Sequence, residues 1–274
     1  MLCLKRESNS KRVILIIKVK NICKQQRSSK LIYLIYFFVI LVFAPLVSFD
    51  AQAYDKSQIV QEAGIDWSAI EDQKKTPVYN FDPKEIEKQA EFASRVTGVR
   101  KDFLMGMLVV ETSLGKDTGQ CTYQEVMEDA QNSHQTGNLS NRAWQTFQSR
   151  KETIKNIADG LGYDYRELKV SCNPSYAGTG GAMGIAQFMP DTWIEYKGRI
   201  AEIIGTQNPD PWNIQHGVLA MALKVADVPG VTEHNTWAER RASKMYLSGS
   251  TSSQYEWYAS EIQYWSRNYL SLLS

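Results

Sequence analysis

From residue 82 onward, apolar and polar positions follow the period of helices rather than strands. "FDPKEIEKQAEFASRVTG" predicts an amphipathic helix, with Asp82 as its cap, Pro83 at its first position and Gly98 at its end. In "RKDFLMGMLVVETSLG" the apolar residues fill nearly every face, which predicts a central buried helix with Asp102 as candidate cap and Gly115 as terminator. Further helices are predicted at 140–161 (Ser140 cap), 191–204, 213–227 (Asn213 cap), 236–247 and 253–270. Two stretches rich in Gly, Ser, Asn and Pro, 115–139 and 171–182, read as irregular, and residues 54–81 as a polar linker or arm. Strand-like alternation is scarce and no internal repeat is present. The pattern predicts one mainly α domain over 82–274.

The first 53 residues are of another kind. Nine Lys/Arg stand against a single acid in residues 1–30, followed by nineteen uncharged residues, "LIYLIYFFVILVFAPLVSF", and then Ala51-Gln52-Ala53. A basic flank, an apolar run and a small-x-small site are the parts of an export signal. Cleavage after Ala53 is the expectation, with residues 31–49 retained as a membrane anchor the alternative. Either way the remainder is expected to work outside the cytoplasm.

This changes how the charge is read. The whole chain is nearly neutral at +1, but residues 54–274 hold 22 basic and 28 acidic residues. An acidic remainder gives no electrostatic reason to bind nucleic acid. The only cysteines past the targeting region are Cys121 and Cys172, expected to form a disulfide in an oxidising compartment, with two free buried thiols as the alternative. The three histidines are scattered without zinc spacing, so no metal and no cofactor are expected.

Two stretches carry candidate chemistry. Glu111 stands at the exit of the most apolar helix, where lost hydration favours the protonated carboxyl and raises its pKa. The glycines of "YAGTGGAMGIAQFMPDTW" fit neither a dinucleotide site nor a phosphate loop. Crowded glycines permit close backbone approach, and Gln187 follows them in an apolar run. Its amide must be hydrogen-bonded, either to backbone in a packed turn or to a sugar hydroxyl or N-acetyl group.

Together "VVETSLGKDTG", "GGAMGIAQFMPDTW", "DPWNIQHGVLAMALKVAD" and "RRASKMYLSGS" resemble the lytic transglycosylases, most nearly the membrane-bound B type, over roughly residues 84–265. Leu114 departs from that type, which usually carries an aromatic residue there, and residues 120–176 form an insert. The resemblance implies a mainly α domain of the α+β lysozyme-like superfamily, with a cleft for peptidoglycan strands, acting as a monomer. It implies cleavage of the β-1,4 bond between N-acetylmuramic acid and N-acetylglucosamine, with Glu111 as the single acid/base and a 1,6-anhydro end as product.

It further implies that Gly184 and Gln187 belong to the glycan-binding motif, that Met183 and Phe188 shape the cleft wall, and that Tyr246 stands against the acid. A core role for Tyr246 is the alternative. Ser113 either contacts sugar or orients Glu111, or else bonds to backbone at the helix end. The cluster Tyr255, Trp257, Tyr258, Tyr264 and Trp265 offers stacking platforms or, at helical spacing, simple packing. No second carboxylate is fixed opposite Glu111 by either Asp117 or Asp191. A hydrolytic muramidase, a non-catalytic wall-binding protein and a membrane-anchored structural protein are the competing readings.

Overall fold

A computed structural model describes residues 75–79, 81–174 and 178–273, all within one compact unit, Trp67–Ser274. The export segment, the run 31–49 and the Ala51–Ala53 site lie outside the described residues. No helix among the described residues is long and apolar enough to cross a membrane.

The architecture is mainly α, as the apolar spacing predicts. In chain order it comprises α1 (Pro83–Thr97), α2 (Lys101–Thr112), α3 (Tyr123–Gln135), α4 (Asn141–Leu161), α5 (Pro190–Ile204), α6 (Ile214–Ala226), α7 (Thr236–Ser248) and α8 (Glu256–Asn268). The expected caps are in place. Asp82 accepts from the Lys84 N–H, Ser140 from Ala143 N–H and Asn213 from the N–H groups of Gln215 and His216. Asp102 is not the cap of α2; Arg100 holds that position without a side-chain capping bond, and Asp102 lies in the first turn.

The loop reading of 115–139 is corrected by α3. Its buried stripe is only Tyr123, Val126 and Ala130, too narrow to stand out among polar neighbours. A capping box starts it: Thr122 accepts from the Glu125 N–H while the Glu125 carboxylate accepts from Thr122 N–H. Just before it, β1 (Cys121–Thr122) pairs antiparallel with β2 (Lys169–Val170). The expected disulfide joins Cys121 to Cys172 across 51 positions. The end of the arm is docked: Lys75 N–H donates to Gly162 O at 3.0 Å, and the Tyr79 hydroxyl accepts from Lys169 N–H at 3.1 Å.

Two helices are buried nearly all round, α2 and α6. Packed against α2 are α1 and α8, and against α6 are α1, α5 and α7. The contact of α2 with α8 depends on Gly106, where a Cβ would lie 2.5 Å from both Ile262 O and Ser266 Oγ. Only glycine lets the two helices come this close, and their closeness decides what meets Glu111.

Candidate active site

Glu111 is the penultimate residue of α2, on the rim of a cleft of about 890 Å³. The helix ends abruptly beyond it. Ser113, Leu114 and Gly115 all take left-handed backbone (φ 51°, 55° and 74°), a conformation costing a non-glycine residue roughly 1–2 kcal/mol. Thr112 and Leu114 hold the turn. The buried Thr112 hydroxyl donates to Leu108 O and accepts from the Gly115 N–H, and Leu114 is 1% exposed. The E-T-S-L-G stretch is therefore a device that stops a buried helix one residue after its carboxylate.

Burial pushes the Glu111 pKa from 4.5 up to about 7; a hydrogen bond from Tyr258 and the charge of Lys224 pull the other way. The negative end of the α2 dipole further disfavours the anion. On α8 the Tyr258 hydroxyl donates to Glu111 Oε1, reaching it across the contact that Gly106 permits. Tyr258 is 3% exposed and so offers no stacking face to a sugar.

The glycine-rich segment forms the adjoining wall. Met183 N–H donates to Phe188 O at 2.9 Å, closing a turn in which Gly184 (φ 59°) and Gln187 (φ 49°) are left-handed. A Cβ on Gly184 would lie 2.0 Å from Pro211 O, so the motif glycine serves close packing. The Gln187 amide nitrogen donates to Gly184 O at 2.8 Å and to Thr118 O at 3.1 Å. Two carbonyl partners fix which end of the amide is nitrogen, and among the described residues no donor bonds to its oxygen. Through Thr118 the same amide ties the glycine segment to the loop after Glu111.

Residues 83–240 match the family model of the transglycosylase SLT domain. The chain belongs to the transglycosylase SLT domain family. The match does not single out the B type. A search of curated proteins gave no match. Among solved structures the SLT chain is similar to the Escherichia coli lytic transglycosylase Slt35 in complex with bulgecin A (20% identity, 63% of this chain, 52% of that one, TM-score 0.40). It is also similar to a 36 kDa muramidase/transglycosylase (18% identity, 71% and 62%, TM-score 0.41) and to Escherichia coli Slt35 in complex with calcium (21% identity, 63% and 52%, TM-score 0.41). The chain thus spans about half the length of Slt35.

Within the SLT cleft the residues singled out in the sequence separate. Glu111, Gln187, Phe188 and Tyr246 line it. Met183 is fully buried behind the wall, Gly184 is packed against Pro211, and Ser113 is exposed at the helix end, its N–H bonded to Val109 O at 2.8 Å. The tyrosine bonded to the carboxylate is Tyr258; Tyr246 donates instead to Ala186 O at 2.5 Å and packs on Phe188. Of the aromatic cluster, Trp257 and Tyr264 are the strongly exposed members, at 60% and 53%. Cys172 of the disulfide also lines the cleft.

Sequence reasoning missed Lys224. It lines the cleft on α6, with its ammonium 4.7 Å from the ring centre of Tyr246 and 5.1 Å from that of Phe188. A single cation in the apolar run "GVLAMALKVA" was the available signal. Asp227 also faces the cleft, but Arg199 and the Tyr196 hydroxyl hold its carboxylate at 2.8 and 3.0 Å.

Proposed function

We propose that the chain is a peptidoglycan lytic transglycosylase in which Glu111 is the single acid/base. The observation that carries this reading is a carboxyl that lines the cleft at the end of a buried helix, bonded by Tyr258, where burial raises its pKa to about 7 and suits it both to give and to take a proton near neutral pH. Protonated Glu111 donates to the glycosidic oxygen as the C1–O bond breaks. The carboxylate so formed then takes the proton of the sugar's own C6 hydroxyl, whose oxygen closes on C1. The product is a 1,6-anhydro ring; no water is consumed, and Glu111 ends as it began.

Tyr258 steadies the carboxylate between the two transfers, and the Gln187 oxygen accepts from a sugar hydroxyl or N-acetyl N–H. An intramolecular nucleophile needs no second carboxylate, in keeping with the engagement of Asp227 by Arg199 and Tyr196. The substrate lies outside the cytoplasm, which agrees with the export-like start and with a disulfide between Cys121 and Cys172.

The test is a digest of purified peptidoglycan, with products read by mass spectrometry before and after borohydride and Glu111→Gln as control. Non-reducible anhydro-muramyl ends, absent with the variant, are expected. Reducible muramic ends would mean a hydrolytic muramidase. No release by either protein, with both retained on the wall, would mean a binding module.

A further inference from the structure

The reaction proposed above leaves Lys224 without a task. It is a half-buried cation on a helix otherwise buried among apolar side chains, a placement that needs compensation. No carboxylate among the described residues forms an ion pair with it, and no acceptor among them takes its hydrogen bonds. Its neighbours are spoken for: Arg150, the other cation lining the cleft, is paired with Asp191 at 2.9 Å, and Asp227 with Arg199. The negative groups that act on Lys224, namely Glu195, Glu111 and Asp191, do so only at longer range, and burial lowers its pKa. The rings of Tyr246 and Phe188 steady the charge without using up its N–H donors. Glu111 cannot serve as its anion when it acts as the acid, because it is then neutral.

An ammonium with unused donors, held on aromatic faces in the cleft that Glu111 also lines, is suited to an anion brought by the ligand. We propose that Lys224 binds a carboxylate carried by the glycan, selecting strands whose sugars bear an acidic substituent over neutral strands of the same backbone. The inference rests on the glycan-cleaving reading above. In peptidoglycan every second sugar bears a lactyl ether ending in a carboxyl, either free or amide-linked to a stem peptide with carboxylates of its own. The shared chemistry is a carboxylate, and the ligands below separate its two sources.

The experiment is calorimetric titration of the full chain carrying Glu111→Gln, which binds without turnover. The ligands are matched tetrasaccharides: a neutral N-acetylglucosamine oligomer, an alternating muramic oligomer with free lactyl carboxylates, its methylamide, and a stem-peptide form. The free acid is expected to bind about tenfold more tightly than the methylamide. That ratio should fall to about one with Lys224→Met, survive Lys224→Arg, and shrink as salt is added. Binding of the neutral oligomer reports an intact cleft in each variant.

A Lys224-dependent gain with the stem-peptide form alone supports the proposal and assigns the carboxylate to the peptide. Equal affinity for all ligands, or a preference for acid that outlasts Lys224→Met, overturns the role of Lys224 and leaves the glycan-cleaving reading standing. Failure of every oligomer to bind overturns that reading, and the proposal with it.

Discussion

The hydroxyl of Tyr258 donates to the carboxylate of Glu111 across the contact of α8 with α2. The two residues are 147 positions apart, and their meeting depends on a glycine in neither motif, Gly106. The bond stabilises the charged form of Glu111, so it opposes the burial that raises the carboxyl's pKa.

Tyr258→Phe removes the hydroxyl that donates to Glu111. The pKa of Glu111 then rises further, and the alkaline limb of the pH–rate profile moves to higher pH. Loss of the bond that positions the carboxylate should lower kcat about tenfold. A profile unmoved by the substitution would show that the bond does not act on the reacting carboxyl.

Glu111 also makes stability depend on pH. Below its ordinary value of 4.5 the carboxyl is protonated whether the chain is folded or not, and has no effect. Between 4.5 and about 7 the unfolded chain is ionised while the folded one keeps its proton, so stability falls as pH rises; above about 7 the full penalty applies. Glu111→Gln removes that penalty. The variant should be more stable than the wild type near pH 8, by up to about 3 kcal/mol, and no different near pH 4. Denaturant midpoints at the two pH values check it.

Gly106→Ala places a methyl group where Ile262 O and Ser266 Oγ already stand. Forcing α8 from α2 should cost about 1–3 kcal/mol. It should also reduce activity beyond what partial unfolding explains, because Tyr258 moves with α8. Activity measured well below the melting temperature separates the two effects.

Replacing Cys121 and Cys172 by serine opens a loop spanning 51 positions and should cost about 2–4 kcal/mol. Cys172 lines the cleft and β2 precedes it, so the pair should also weaken glycan binding. The melting temperature and the affinity of the neutral oligomer should fall together.

What could be read in the sequence followed from local physics. Asp82, Ser140 and Asn213 announce helix starts because a capping side chain bonds within two or three residues of itself. Glu111 was legible because an all-round apolar helix ends on it. The two motifs proved to be one structure, since the Gln187 amide reaches Thr118 just beyond the E-T-S-L-G turn. Tyr258 was not legible as Glu111's partner. At helical spacing it looks like its aromatic neighbours, and only the crossing of α2 and α8 tells which tyrosine arrives. Tyr246 matched the family's pattern, yet its hydroxyl is satisfied by Ala186 O. In α3 the buried stripe is narrow and its stability comes from the Thr122–Glu125 box and the Cys121 bridge, which apolar periodicity does not register.

The proposed mechanism depends on burial raising the Glu111 pKa to about 7, so that a share of the carboxyl stays protonated near neutral pH. The most direct measurement is a carbon-13 NMR titration of the glutamate side-chain carboxyls, with the Glu111 resonance assigned by its absence in Glu111→Gln. A midpoint near 7 is the predicted result. A midpoint near the ordinary 4.5 would leave the acid ionised at working pH and contradict the account.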